Sequence, residues 1–237
     1  MKMISLDGEN IEVQNTVIEL FKKSITGSVL SSNDPGYDGA RVIFNGMFDI
    51  KPALIVQTQT VEDVINCVNF ARDHKILLSI RGGGHSAAGK ALCEGGITID
   101  LRKMNDVVVD AQNFTAHVGG GALLGDMDRA TQQYGLSAPA GIVSDTGVAG
   151  LTLGAGFGWI RSKYGLSIDN LLSVDIVTAD GQLVHASESE NEDLFWAVRG
   201  GSGNFGVVTT FKFRLHPVGP EVMFSGPIYS TENAKEI

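Results

Sequence analysis

The sequence predicts a mixed α/β fold, and three observations carry the expectation. Residues 51–86 read as strand, helix, strand in quick succession. Residues 97–118 and 174–215 add further short strands and one long alternating run. Thirty of the 237 residues are glycine, about an eighth of the chain against a usual share of about 7%. The excess has no period and hydrophobic residues make up 43%, which excludes a collagen-like or disordered chain. It suits many tight turns, or places where backbone approaches a ligand closely. The length fits one large domain or two small ones.

In chain order, residues 1–50 read as an irregular N-terminal extension with a short helix at 10–21 and a loop at Ser31–Gly36. Lys51–Val56 is the first strand of the main unit. Thr60 opens a helix, because Thr60 and Asp63 have N-cap and N3 spacing and Val61, Val64, Ile65, Val68 and Ala71 follow on one face. Ile76–Ile80 is the next strand and runs straight into Arg81-Gly82-Gly83-Gly84-His85-Ser86. Strands follow at 97–101, 107–109 and 114–118. A helix at 122–134 ends at Gly135, and a dense glycine tract runs from 141 to 158. Val174–Thr178 and Gln182–His185 pair as a hairpin across Ala179-Asp180-Gly181. A short helix at 193–198 leads to the glycines of 200–206, then to the alternating strand 207–215.

Composition narrows function. Eighteen basic against 27 acidic residues, a net charge of −9, argue against a nucleic-acid partner, which needs a basic face. Two cysteines make no disulfide framework. The N-terminus meets acidic residues at once, and no run approaches the roughly 18 apolar residues of a membrane span. The expectation is a soluble, cytoplasmic protein without a membrane partner. No two histidines stand at metal-ligand spacing, so no metal site is expected.

Two familiar patterns fail on context. Gly84–Lys90 matches the first seven positions of a phosphate-binding loop, but Ala91 stands where a Ser or Thr should hold magnesium. Gly201–Gly206 fits G-x-G-x-x-G, but a helix precedes it and a strand follows, the reverse of the dinucleotide fingerprint. What remains is three glycine-rich loops, at 82–89, 141–158 and 200–206. Backbone amides freed of side chains can line a concave anion site, so the trio points to a large phosphate-bearing ligand; three unrelated packing turns are the plainer alternative. His85 directly follows three glycines, which leave its ring unshielded toward whatever the loop cradles, to act as base, ligand or nucleophile. A hydrogen-bonded loop histidine is the commoner role. Cys67 and Cys93 read as packing residues. Tyr164 either meets a ligand or packs in the core.

These segments resemble a known family. Arg81–Ser86 with Gly89, the run Gly147–Trp159, Lys163-Tyr164-Gly165-Leu166, Asp169-Asn170, Asp193–Ala197 and Gly200–Thr209 are similar to the FAD-binding domain of berberine bridge enzyme-like oxidases. The resemblance covers roughly residues 50–218. It implies an α+β fold, a PCMH-type FAD-binding domain of two α/β subdomains with FAD between them. It spans 51–218 and is followed at 219–237 by the start of a truncated substrate domain. It also implies that His85 bonds covalently to the 8-methyl carbon of the flavin. The cysteine that makes a second link in many relatives aligns with Val143, so the chain resembles the singly linked bacterial branch that includes 6-hydroxy-D-nicotine oxidase. The cofactor-binding residues carried over are Arg81, Gly82, Gly83, Gly84, His85, Ser86, Gly89, Val143, Ser144, Thr146, Gly147, Gly150, Leu153, Gly154, Gly158, Tyr164 and Val207. The implied reaction is hydride transfer from an alcohol, sugar or amine C–H to FAD. Relatives continue well beyond position 237, so the residues that would choose the substrate are expected in a missing part or in a partner copy. A flavin-binding module without turnover, or a non-covalent FAD reductase of the same superfamily, are the alternatives.

Overall fold

The computed structural model describes residues 1–223 and 225–235. Of the stretch 219–237 expected to open a substrate domain, residues 224, 236 and 237 lie outside the described residues.

The first lobe begins with a hairpin of β1 (Lys2–Ile4) and β2 (Asn10–Glu12), then α1 (Asn15–Lys23), β3 (Ser28–Leu30) and the short α2 (Tyr37–Ala40). The helix expected at 10–21 is therefore corrected. Its first residues pair with Lys2–Ile4 in a ladder that sets Ile11 opposite the buried Met3, and the helix starts only at Asn15. Nor are residues 1–50 irregular: Met3, Val13, Ile18, Phe21 and Ile25 are buried in the lobe's core. Next come β4 (Leu54–Gln57), α3 (Val61–Asp73), β5 (Leu78–Arg81) and β6 (Ile97–Asp100). The sheet order is β3-β4-β6-β5; β3 is antiparallel, and β4 and β5 run parallel to β6. Leu54, Val56, Ile97 and Ile99 have no exposed surface and face Val64, Cys67 and Ala71 of α3. Ile55 points to the opposite side, against Tyr37 and Ala40, as the two-residue strand period requires.

The capping expectation at Thr60 holds. Its side chain accepts from Asp63 N, and Asp63 answers by accepting from Thr60 N. The buried Asp63 carboxylate also accepts from Thr26 N at 2.7 Å, Gly27 N at 3.1 Å and Gln59 N at 2.9 Å. One carboxylate thereby ties the N-terminal segment to the start of α3.

The second lobe holds β7 (Val107–Asp110), β8 (Thr115–Gly119), α4 (Leu124–Gln132), β9 (Leu136–Ser137), α5 (Val148–Leu153), α6 (Arg161–Tyr164), β10 (Leu171–Val177), β11 (Leu183–Ser187), α7 (Glu192–Val198), β12 (Val207–Arg214) and β13 (His216–Pro217). Five strands form an antiparallel sheet in the order β11-β10-β12-β8-β7. Its inner residues Val174, Ile176, Phe211 and Phe213 pack against Leu124 and Met127 of α4, Val148 of α5 and Phe195 of α7. Helix α5 lies inside the tract expected to be loop.

The lobes share core. Val177 and Val207 pair with each other at the end of the second sheet, yet are buried in the first lobe's cluster. Arg72 Nη1 donates to Asp180 O at 2.6 Å across the same boundary. The run Gly119–Gly121 is wedged there, where a side chain on Gly121 would strike Leu101 O.

Candidate functional site

Strand β5 delivers the first glycine loop to the seam between the lobes. Gly83 lies so close to Gly147 that a Cβ built on Gly83 would sit 2.7 Å from Gly147 Cα, and one on Gly147 2.9 Å from Gly83 Cα. Only backbone fits between them. Gly84 has φ +78°, the left-handed region that favours glycine. The loop therefore turns sharply and lies flat on the start of α5.

The result is one cleft of about 760 Å³ in which all three glycine loops meet. Gly82, Gly83, Gly84, His85 and Ser86 contribute from the first, Thr146, Gly147, Gly150 and Leu153 from the second, and Ser202, Gly203, Asn204 and Gly206 from the third. Leu78, Ile80, Leu101, Leu151 and Val208 add apolar wall. Lys90 and the His85 imidazole are the only basic side chains among the described lining residues, which include no carboxylate. In a chain of net charge −9, a cleft without acids favours an anionic ligand.

A buried cation lies beneath the loop. The Arg81 side chain donates through Nη1 to Ala40 O and through Nη2 to Val42 O at 2.6 Å. Its Nε is buried without a partner among the described residues, and a Cβ on Gly84 would meet that atom at 3.1 Å. Burial first, then the nearby Arg102, pulls this guanidinium down to about 10 while Asp100 pushes the other way, so it remains charged at neutral pH. The guanidinium thus lies directly behind Gly84, on the side of the loop away from the cleft lining.

His85 lies at the cleft's edge with its side chain 18% exposed. Its Nε2 is 3.1 Å from Asp145 Oδ1, its Nδ1 3.3 Å from Thr146 Oγ1, and its ring stacks on Phe44 with centroids 4.4 Å apart. Phe44 N donates to Gly84 O at 3.1 Å, and Asn45 Nδ2 to Ala87 O at 2.8 Å. The segment after α2 is therefore stitched to the glycine loop.

The other residues named from the sequence do not line the cleft. Gly89 packs on the Phe48 ring. Val143 and Ser144 are exposed at the second loop's outer turn, where Ser144 O accepts from Gly125 N. Gly154 is exposed just past α5, and Gly158 abuts Ala140 O. Val207 is buried in the lobe boundary. Tyr164 stacks on His216 at 4.0 Å and borders a separate groove with Trp159 and Pro217. Cys93 is in the cleft wall, where its thiol donates to Ile97 O at 3.3 Å and burial raises its pKa. Cys67 is buried on the inner face of α3, and burial raises its pKa too. Among the described residues no three His, Cys, Asp or Glu side chains gather as a metal site, and no helix is long and apolar enough to cross a membrane.

Phe44, Asp145, Lys90 and the third loop's Ser202–Asn204 were not among the residues proposed from the sequence. A third glycine loop flagged the last; Lys90 appeared only in a rejected pattern. Phe44 and Asp145 carry no local signal, because their relation to His85 exists only in the folded chain.

Comparison with known proteins agrees with this geometry. The sequence pattern of the FAD binding domain family matches residues 52–187. The (R)-6-hydroxynicotine oxidase of Paenarthrobacter nicotinovorans is 38% identical over 214 residues, 90% of this chain and 46% of that protein. Among solved structures, the wild-type BBE-like 1 protein of Physcomitrella patens superposes with a TM-score of 0.81 at 33% identity, covering 84% of this chain and 44% of that one. The xylooligosaccharide oxidase of Myceliophthora thermophila, in complex with xylobiose, gives 0.80 at 34% identity, covering 85% and 43%. The chain spans about half the length of the curated relatives it matches.

Proposed function

The chain belongs to the FAD binding domain family, and from that premise we propose that it is the cofactor-holding part of a flavin-dependent oxidase, with FAD bonded covalently through His85 alone. When bound, FAD supplies the redox chemistry, accepting hydride from an alcohol, sugar or amine C–H. The chain's own residues hold and tune it. The amides of Gly83 and Gly84 and the charge of Arg81 suit a diphosphate. Lys90 adds a second cation at the cleft. Leu101, Leu153 and Val208 offer an apolar wall that keeps water from a flat ring. Val143 has no thiol, so a second link at that position has no nucleophile.

The observation that carries this reading is the meeting of three glycine loops on one acid-free cleft with a buried arginine beneath it. The test is the visible spectrum of the purified chain before and after acid precipitation. A yellow pellet that turns colourless in His85→Ala supports the covalent link. A yellow supernatant keeps FAD and removes the link. A colourless protein overturns the reading for this chain.

The second reading is a flavin-binding module without turnover; the chain covers 46% of the length of (R)-6-hydroxynicotine oxidase. Oxidation of any member of a panel of alcohols, sugars and amines by the isolated chain would overturn that alternative.

A further inference from the structure

We propose that Asp145 is a positioning residue for His85, fixing which ring nitrogen is free to bond a flavin; the inference rests on the covalent reading above. Three side chains surround the imidazole: Asp145 at Nε2, 3.1 Å away, Thr146 at Nδ1, 3.3 Å away, and Phe44 on one face. An ionised carboxylate only accepts hydrogen bonds. Nε2 therefore carries the proton and aims it at Asp145. Nδ1 keeps its lone pair, and the Thr146 hydroxyl, which can donate, points to it. Phe44 closes one face of the ring and is itself tied to Gly84 O, so the imidazole is held in one plane.

The carboxylate is 69% exposed, so the pair adds little to stability. Its effect is on tautomer and orientation, the part a carboxylate plays beside a histidine in metal sites and hydrolase triads. Joining Nδ1 to the flavin's 8-methyl carbon replaces a C–H bond by a C–N bond. The methyl proton leaves to solvent, and the electron pair stays on the flavin until dioxygen removes it as hydrogen peroxide. The imidazole, alkylated at Nδ1, passes its Nε2 proton to Asp145. Without the carboxylate, the neutral ring divides between two tautomers and the charge formed during bonding has no counterion.

The test uses chain made in riboflavin-limited culture, mixed with FAD, with acid-stable flavin followed over time. Asp145→Ala is expected to slow linkage by about tenfold or more, the usual cost of removing a histidine's supporting carboxylate. Asp145→Glu should restore part of the rate. FAD affinity, measured in a His85→Ala background where no link forms, should be the same with Asp145 or Ala. Nitrogen NMR should find the His85 proton on Nε2 in the parent chain and shared between both nitrogens in Asp145→Ala. Equal linkage rates, or a parent ring protonated on Nδ1, would overturn the proposal. So would a parent chain that binds FAD and never links it. A parent chain that binds no FAD at all would instead overturn the cofactor reading.

Discussion

Gly83 and Gly147 meet backbone to backbone, from two loops more than sixty positions apart, with no space for a methyl group on either. Both glycines line the cleft. Their contact separates glycines required by the protein's own packing from glycines that face a ligand.

Gly83→Ala and Gly147→Ala should each cost about 1–3 kcal/mol of stability, because the new methyl meets backbone that has no rotamer to escape into. Gly150 has open space around a built Cβ and lies inside α5. Gly150→Ala should therefore stabilise the flavin-free chain by about 0.5–1 kcal/mol yet weaken FAD binding, since the residue lines the cleft. Thermal melts and flavin titrations of the same three variants decide this; a loss of stability in Gly150→Ala would refute the distinction.

Lys90 Nζ has no hydrogen-bond or ion-pair partner among the described residues, and it borders a cleft without acids. Lys90→Glu should weaken FAD and ADP about tenfold or more, as expected when attraction of a diphosphate becomes repulsion in a partly enclosed site. Riboflavin, which has no phosphate, should bind as before. Calorimetry with the three ligands measures it, and equal losses for riboflavin would argue against a phosphate contact.

Asp63 accepts from four backbone amides, on Thr26, Gly27, Gln59 and Thr60. Asp63→Ala should cost about 3 kcal/mol or more, since removing one acceptor strands several buried donors. Thr60→Ala removes one cap bond and should cost about 1 kcal/mol. Denaturant unfolding compares them, and a smaller loss for Asp63→Ala than for Thr60→Ala would contradict this account.

His216 predicts an acid-side loss of stability. Its Nε2 lies 2.6 Å from Asn170 Oδ1. Burial first, then the positive charges of Arg214 and Lys163, lower its pKa. The folded chain thus resists a proton that the unfolded chain takes up near the ordinary value of about 6.5. Stability is full above that pH and declines as pH falls through it toward the lowered folded value. His216→Gln should flatten the melting temperature between about pH 7 and pH 5. A slope identical to that of the parent would assign the loss to other groups.

Much of this architecture was legible before folding. The Thr60–Asp63 spacing gave the start of α3, and the turn at Ala179–Gly181 gave the hairpin of β10 and β11, because caps and turns are local chemistry. The glycine loops were legible as loops, and His85 as the residue left open beside them. Helix α5 was not. Gly147, Gly150 and Gly154 spell a turn-rich tract, and only burial of Val148, Ala149, Thr152 and Leu153 against the second sheet overrides that propensity. The Asn10–Glu12 strand was missed for a similar reason, since its pairing with Lys2–Ile4 is tertiary. The partners of His85 and Arg81 were illegible in kind. Thr146 is 61 positions from His85 and Ala40 is 41 positions from Arg81, and no periodicity reaches across such intervals.

The grip of Arg81 on the carbonyls of Ala40 and Val42 has a bearing on inheritance. The stretch shared with the FAD binding domain family begins at residue 52, yet the guanidinium under the glycine loop finds both its acceptors upstream of it. Exchange of the shared stretch between relatives would transplant a buried cation without its acceptors. Residues 40–42 and Arg81 are therefore expected to be inherited together, and chimaeras joined at residue 52 should fold poorly unless both sides come from one parent.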